Sequence, residues 1–175
     1  MQGKYHFACG IAASAATLLV FHDKICGSVL EPALFCIGSC IGSLIPDIDS
    51  PTSAIGKPLK PISKLINKGF GHRTITHSGL WLIPLLIGYF SLKSLFLLGY
   101  IIGFLSHLFS DSLTSGGIAW LYPLERKRIR LTRIKSGDGD LLLTMVSVAV
   151  FTLANFTIRY LQDNPIPISA ILSLQ

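Results

Sequence analysis

Residues 29–49, VLEPALFCIGSCIGSLIPDID, decide the architecture. From 29 to 45 the run holds one charge, Glu31, and it meets the ~17-residue minimum for crossing a hydrocarbon core. Pro32 falls in the first turn, where a helix tolerates it. The run stops at Pro46-Asp47-Ile48-Asp49, so two carboxylates follow a helix C-terminus. Negative charge there opposes the helix dipole, and the placement calls for a compensating cation. Gly38 and Gly42 are four apart in this run, as Gly99 and Gly103 are in a later one. Small residues at that spacing let membrane helices approach closely. Packing the two runs together would bring Asp47 and Asp49 beside His107 and Asp111.

Five apolar stretches can be marked along the 175 residues: 7–21, 29–45, 79–90, 95–109 and 141–161. The second and fifth are long enough to span a bilayer; the others are short and must tilt, lean on neighbours or re-enter. The third and fourth are split only by residues 91–94, which favours a helical hairpin over one long helix. Half of all residues are hydrophobic, 14% are charged and the mean hydropathy is +0.59. A soluble domain carries roughly 25% charged residues, and so few charges would leave a soluble surface largely apolar. The expected fold is therefore all-α: a polytopic helical membrane protein with about five membrane-embedded helices. It forms a single domain over 1–162, with basic loops at 50–71 and 112–140 and a loose, proline-punctuated tail at 163–175. Residues 62–68 read as a short amphipathic helix on the membrane surface, and the alternation at 128–133 reads as a short strand.

The net charge of +6 is unevenly spread. If the helices alternate in direction, the N-terminus and the even-numbered turns share one side. That side holds twelve of the fifteen Lys and Arg: Lys4, four lysines between 57 and 68, Arg73, and six basic residues between 126 and 135. Positive residues stay in the cytoplasm during insertion, so this face is expected to be cytoplasmic, against anionic headgroups. No aromatic-interleaved basic platform points to nucleic acid. Lys4 and the following apolar run resemble a signal peptide ending near Ala13-Ser14-Ala15, yet the run continues past that point and cleavage would remove His6. Cys9, Cys26, Cys36 and Cys40 match neither a CxxC nor a zinc-finger spacing, and no disulfide is expected. His22, beside Asp23 on the opposite side, reads as a loop residue.

Seven residues with metal-ligand chemistry fall on the basic side: His6, Asp47, Asp49, His72, His77, His107 and Asp111. In His107-x-x-x-Asp111 both side chains share one helix face, and an ionisable pair at the end of an apolar helix is costly unless it has a function. A local His–Asp hydrogen bond is the simpler alternative. In Gly71-His72-Arg73-Thr74-Ile75-Thr76-His77-Ser78, two histidines flank an arginine and hydroxyls. Imidazoles suit zinc, or manganese and iron when mixed with carboxylates. Arg73 suits a phosphate oxygen, and Thr76 and Ser78 could orient ligands or substrate. A polar turn capping the next helix would explain the hydroxyls but not both histidines. HExxH, GxSxG and Walker A patterns are absent.

His6, Pro46-Asp47-Ile48-Asp49, the HRxxTHS block at 72–78 and His107-x-x-x-Asp111 together resemble the YdjM family of bacterial and archaeal membrane-bound, metal-dependent hydrolases. The likeness runs from about residue 4 to 122, and the 72–78 block is its most specific part. A more distant similarity is to zinc-dependent phospholipase C and the fungal single-strand nucleases. This chain lacks their later His-xxx-Glu pair, so one or two metals are expected and a third is not. These resemblances imply a multi-pass inner-membrane hydrolase with its site at the cytoplasmic interface. Its substrate would be a phosphate ester or phosphodiester, in a phospholipid or lipid-linked molecule. The seven residues above would hold one or two divalent ions, zinc or else Mn or Fe. Asp49 or Asp111 would take a proton from water, and Arg73 would hold the phosphate, with Thr76 and Ser78 beside it. Membrane lipids are the expected partners, and nucleic acid is not. A membrane metal carrier and a non-catalytic protein that recruits a partner are the competing readings.

Overall fold

The structure is a computed structural model that describes residues 2–25, 27–28, 30–137 and 139–164, apart from the side chains at 22, 24 and 25. Among the described residues there are six α-helices: α1 (Gly3–Ile25), α2 (Leu30–Leu44), α3 (Lys60–Phe70), α4 (Leu82–Leu92), α5 (Leu95–Ser112) and α6 (Asp140–Asp163). Short 3-10 turns occupy Ile45–Asp49, Ile75–His77 and Gly79–Trp81. Four segments are long and apolar enough to cross a membrane: Gly3–Phe21, Leu30–Asp49, Leu95–Ser112 and Asp140–Asp163. Gly79–Leu92 is apolar but shorter. The all-helical expectation holds, with four such segments rather than five. The expected strand at 128–133 is not formed; one isolated bridge joins Ile118 to Ile129, because that stretch lies on the surface with no second strand to extend the pairing. The tail from 165 onward and Cys26 lie outside the described residues. α1 runs on to Ile25, so His22 and Asp23 are helical rather than loop.

Glycine sets the central contact. α2 and α5 cross with their backbones touching: a Cβ on Gly38 or Gly42 would collide with the carbonyl oxygen of Phe96 or Tyr100. One on Gly99 or Gly103 would collide with that of Phe35 or Ser39. Backbones this close bring Cα–H groups against carbonyls, each contact worth about 0.5–1 kcal/mol. α1 lies against α2 in the same manner, where a Cβ on Gly10 would stand 2.6 Å from Ser43 Cβ. There Ser39 Oγ donates to the Gly10 carbonyl (2.9 Å).

α4 and α5 form the expected hairpin. Lys93 ends α4 in the left-handed region (φ 50°) and the Ser94 hydroxyl caps α5. Leu82 and Leu85 of α4 then pack on Phe104 and Leu108 of α5. α6 runs parallel to α1. The Asp140 carboxylate, at the start of α6, accepts from the Gln2 N–H (2.9 Å), and at the far end Arg159 pairs with Asp23 (3.1 Å). α6 leaves Met145, Leu153 and Phe156 exposed, as a lipid-facing helix does. α3 begins at Lys60, with Pro61 in its first turn, and ends at Gly71 (φ 83°). It buries Ser63 while Ile62 and Leu65 stay exposed, the habit of a helix lying on a bilayer surface.

These contacts yield a contrast. Gly103→Ala should lower stability by about 1–3 kcal/mol through overpacking, despite the ~1 kcal/mol that alanine gains in a helix interior. Gly69→Ala, in α3 with nothing within 4 Å of the new methyl, should be neutral or stabilising. Thermal melts in detergent followed by tryptophan fluorescence check both.

Candidate metal centre

α1 delivers His6 at its start and α5 delivers His107 and Asp111 near its end, while the 3-10 turns that follow α2 and precede α4 bring Asp47, Asp49 and His77 to the same end of the bundle. His107 Nδ1 donates to the Ser43 carbonyl (2.7 Å), so the closeness of α2 and α5 directly orients this ring. Ser110 Oγ spends its proton on the His107 carbonyl (2.9 Å) and is left to accept from His6 Nδ1 (2.9 Å). Thr76 Oγ1 donates to Asp49 Oδ2 (2.9 Å) and accepts from His77 Nδ1 (3.0 Å). Each imidazole is thus fixed through Nδ1, which leaves the lone pair on Nε2.

The three Nε2 atoms converge with two carboxylates. His77 Nε2 lies 3.1 Å from His107 Nε2, 3.7 Å from Asp47 Oδ1 and 3.5 Å from Asp111 Oδ2. His107 Nε2 lies 3.8 Å and 3.7 Å from the same two oxygens. His6 Nε2 makes no hydrogen bond and sits 3.3 Å from Asp111 Oδ1. In each of two triads, His6-His107-Asp111 and Asp47-His77-His107, the ligand atoms lie within 4.8 Å of one another. The donor set fits a divalent ion: a tetrahedron with ~2.1 Å bonds has edges of about 3.4 Å. Two lone pairs 3.1 Å apart also repel unless positive charge lies between them. His107 belongs to both triads with one lone pair to give, which favours one ion over two.

The charge balance points the same way. Asp47, Asp49 and Asp111 share this buried region with a single guanidinium, that of Arg73. An uncompensated buried charge costs on the order of several kcal/mol. Burial alone would push the His77 imidazole down, but the carboxylates of Asp111, Asp47 and Asp49 around it outweigh that and raise it to about 10. The pocket demands a cation, whether a proton or a metal.

Two expected ligands stand outside the triads. His72 Nδ1 meets Asp49 Oδ1 (2.8 Å), while the Arg73 N–H (2.8 Å) and Thr76 Oγ1 occupy Asp49 Oδ2. With both oxygens engaged, Asp49 supports His77 from behind, and the His72 side chain stays 45% exposed. Arg73, expected to face a phosphate, is buried. Its guanidinium contacts Asp111 Oδ1 (2.7 Å) and Thr114 Oγ1 (3.0 Å). Room for it exists because residue 116 is glycine; a Cβ there would stand 2.6 Å from Arg73 Nη1. Its left-handed backbone (φ 60°) is held by these bonds at both ends of the residue. Ser78, also expected beside substrate, donates instead to the Tyr122 carbonyl (2.6 Å) and caps Leu80 N, so it fastens the loop after α5. The supporting groups that the sequence did not single out are Ser43, Ser110, Thr114 and Asn67, whose Nδ2 donates to the Asp49 carbonyl (2.9 Å). Ser110 alone left a trace, being a polar residue beside Asp111 in an apolar helix.

Of the five converging donors, His6, His77, His107 and Asp111 are 0% exposed, and the Asp47 side chain is 10% exposed. Asp47 lines a polar cavity of about 420 Å³ together with Lys4, Ser50, Ser53, Lys57 and His72. Purified protein should bind one equivalent of zinc, lost in His107→Ala. Asp49→Ala should weaken binding by roughly 10–100-fold, whereas His72→Ala should keep it. Elemental analysis and chelator competition measure all three.

The sequence pattern of the family described as YdjM inner membrane protein matches residues 1–174. Inner membrane protein YdjM of Escherichia coli (strain K12) is 36% identical over 128 residues, covering 69% of this chain and 65% of its own. The Shigella flexneri protein of the same name gives the same figures. Uncharacterized protein YvsG of Bacillus subtilis (strain 168) is 34% identical over 137 residues, 75% of this chain and 78% of its own. The matched region therefore spans just under two thirds of the YdjM relatives' length. No solved structure matches the chain. With several apolar helices and relatives named for the inner membrane, the chain belongs to the YdjM family of inner membrane proteins.

Proposed function

We propose that this protein is a metal-dependent hydrolase of phosphate esters, acting at the surface of the inner membrane on a phospholipid or lipid-linked substrate. One observation carries the reading: three imidazole Nε2 atoms and two carboxylates converge in a buried cluster whose one exposed edge, Asp47, opens into a polar cavity. A divalent cation held by His6, Asp47, His77, His107 and Asp111, zinc by preference, would supply Lewis acidity and make hydroxide available near neutral pH.

The chain's own groups divide the remaining work. Asp47 is where the cluster meets the cavity. His72 lines the same cavity with its ring held by the Asp49 carboxylate, a pairing that suits a proton carrier. This moves the proton-handling role from Asp49, whose two oxygens are hydrogen-bonded, or Asp111, one of the converging donors, to the imidazole that Asp49 supports. Arg73 keeps Asp111 in place. A lipid substrate is supported by the exposed apolar residues of α3 and by an apolar cavity of about 340 Å³ that includes Ile66, Trp81 and Phe104 and also reaches Thr76. The site end of the bundle carries the basic loops, whereas Lys93 and Arg159 lie at the other, so the site end would face the cytoplasm. A metal carrier would instead place ligands at several depths along a path.

Hydrolysis of a chromogenic phosphodiester and of a phospholipid panel tests the reading. Asp47→Ala and His107→Ala should abolish turnover with loss of metal, and His72→Ala should lower it on the order of 100-fold with metal retained. Equal turnover in all three would remove the catalytic assignment, and metal binding without turnover on any ester would favour the carrier. An impermeant maleimide should label Lys127→Cys in inside-out vesicles and Lys93→Cys in right-side-out ones.

A further inference from the structure

With Arg73 engaged by Asp111 and Thr114, the phosphate-binding charge must come from elsewhere. We propose that Lys4 and Lys57, both in the wall of the cavity outside Asp47, form the phosphate clamp of this site; the assignment rests on the hydrolase reading above.

Access decides the position. Four of the five converging donors are fully enclosed, so a substrate atom can approach the cluster only past Asp47, and the cavity there has Lys4 and Lys57 in its wall. Lys4 stands in the first turn of α1, where the positive end of the helix dipole adds to its charge. Two residues on, α1 delivers His6 to the cluster, so anion and cation sites are built on one helix end. Lys57 is set by the loop after Asp49. Ser53 Oγ donates to the Asp47 carbonyl (2.7 Å) and to the Ser50 carbonyl (2.9 Å), and the Lys57 N–H donates to the Ser53 carbonyl (3.0 Å). Gly56 is required in that loop, because a Cβ would collide with the Ser50 carbonyl. The loop therefore ties Lys57 to the backbone of a metal-donor residue. Its inner side meets α1, where a Cβ on Gly3 would touch Ala54 Cβ at 3.8 Å. Two lysines in the wall of the cavity that Asp47 also lines suit a tetrahedral dianion. They hold it as point charges and need no planar, two-pronged geometry.

The test uses the full chain in phosphatidylcholine nanodiscs. Inorganic phosphate is titrated calorimetrically into metal-free and zinc-loaded protein, for wild type, Lys4→Ala, Lys57→Ala, the double variant and Lys57→Arg. Each alanine should weaken phosphate binding about 10-fold, as expected for losing one charge-assisted contact. Arginine at 57 should retain most of the affinity, and zinc content should be unchanged throughout. Nanodiscs containing phosphatidate separate the sources. Competition with inorganic phosphate assigns the clamp to a lipid headgroup, and its absence assigns it to a soluble phosphate; both uphold the pair. Wild-type affinity in the double variant at full zinc content overturns the clamp and leaves the metal centre standing. Absence of phosphate binding by the wild type also overturns it. Failure of wild type to take up any metal overturns the hydrolase reading, and the metal-free titrations then still decide the lysines.

Discussion

Everything at the metal-ligand end depends on how closely α2 and α5 approach. Their glycines let carbonyl oxygens of one helix lie where side chains of the other would normally begin. That closeness puts the Ser43 carbonyl, one residue from the end of α2, within hydrogen-bond reach of His107. In the same stroke it brings the Asp47 carboxylate, one short turn later, up to the His107 ring. In a bilayer there is little hydrophobic force between helices, so association rests on packing and polar contacts. The glycine contact supplies the packing, and the ligand cluster supplies the polar part. Each makes sense of the other: helices that could separate would leave three carboxylates in a medium that solvates them poorly.

Around the cluster, order is imposed from outside inward. Every imidazole is gripped at Nδ1 by a group with a second commitment of its own: Ser110 to a carbonyl, Thr76 to Asp49, and Ser43 through the backbone. Asp49 is the busiest of these, bound by His72, Arg73, Thr76 and, through its carbonyl, Asn67. A ring that cannot rotate or switch tautomer presents its free nitrogen in one direction only. The cluster is preorganised by hydrogen bonds among the chain's own groups.

Much of this was legible in the chain. Apolar run lengths gave the helices, and the phase of His and Asp along those runs gave the end at which they meet. The spacing of Gly38, Gly42, Gly99 and Gly103 gave the contact that joins them. Roles within the cluster were not legible. Asp49 and His72 have the same chemistry as Asp47 and His77, and only the turn at Ile45–Asp49 and the left-handed backbone at Arg73 decide which pair joins the converging donors and which stands behind them. The place of Arg73 was not legible for a related reason: a guanidinium binds a carboxylate as readily as a phosphate, and sequence does not say which is nearer. The strand expected at 128–133 failed because alternation is a local signal, whereas a strand needs a partner.

The apolar segment Gly79–Leu92 is shorter than the other apolar helices. At 1.5 Å per residue it rises roughly 21 Å, well short of the ~30 Å hydrocarbon thickness, and no residue of α4 is fully buried. Lipids bordering it must therefore shorten or splay to match it, at a small cost per ångström of mismatch. The apolar segment starts at Gly79, two residues after His77, so the dimple would form beside the ligand cluster. Headgroups there would sink toward the enclosed donors, and the protein would meet its lipid neighbours by deforming the sheet they belong to.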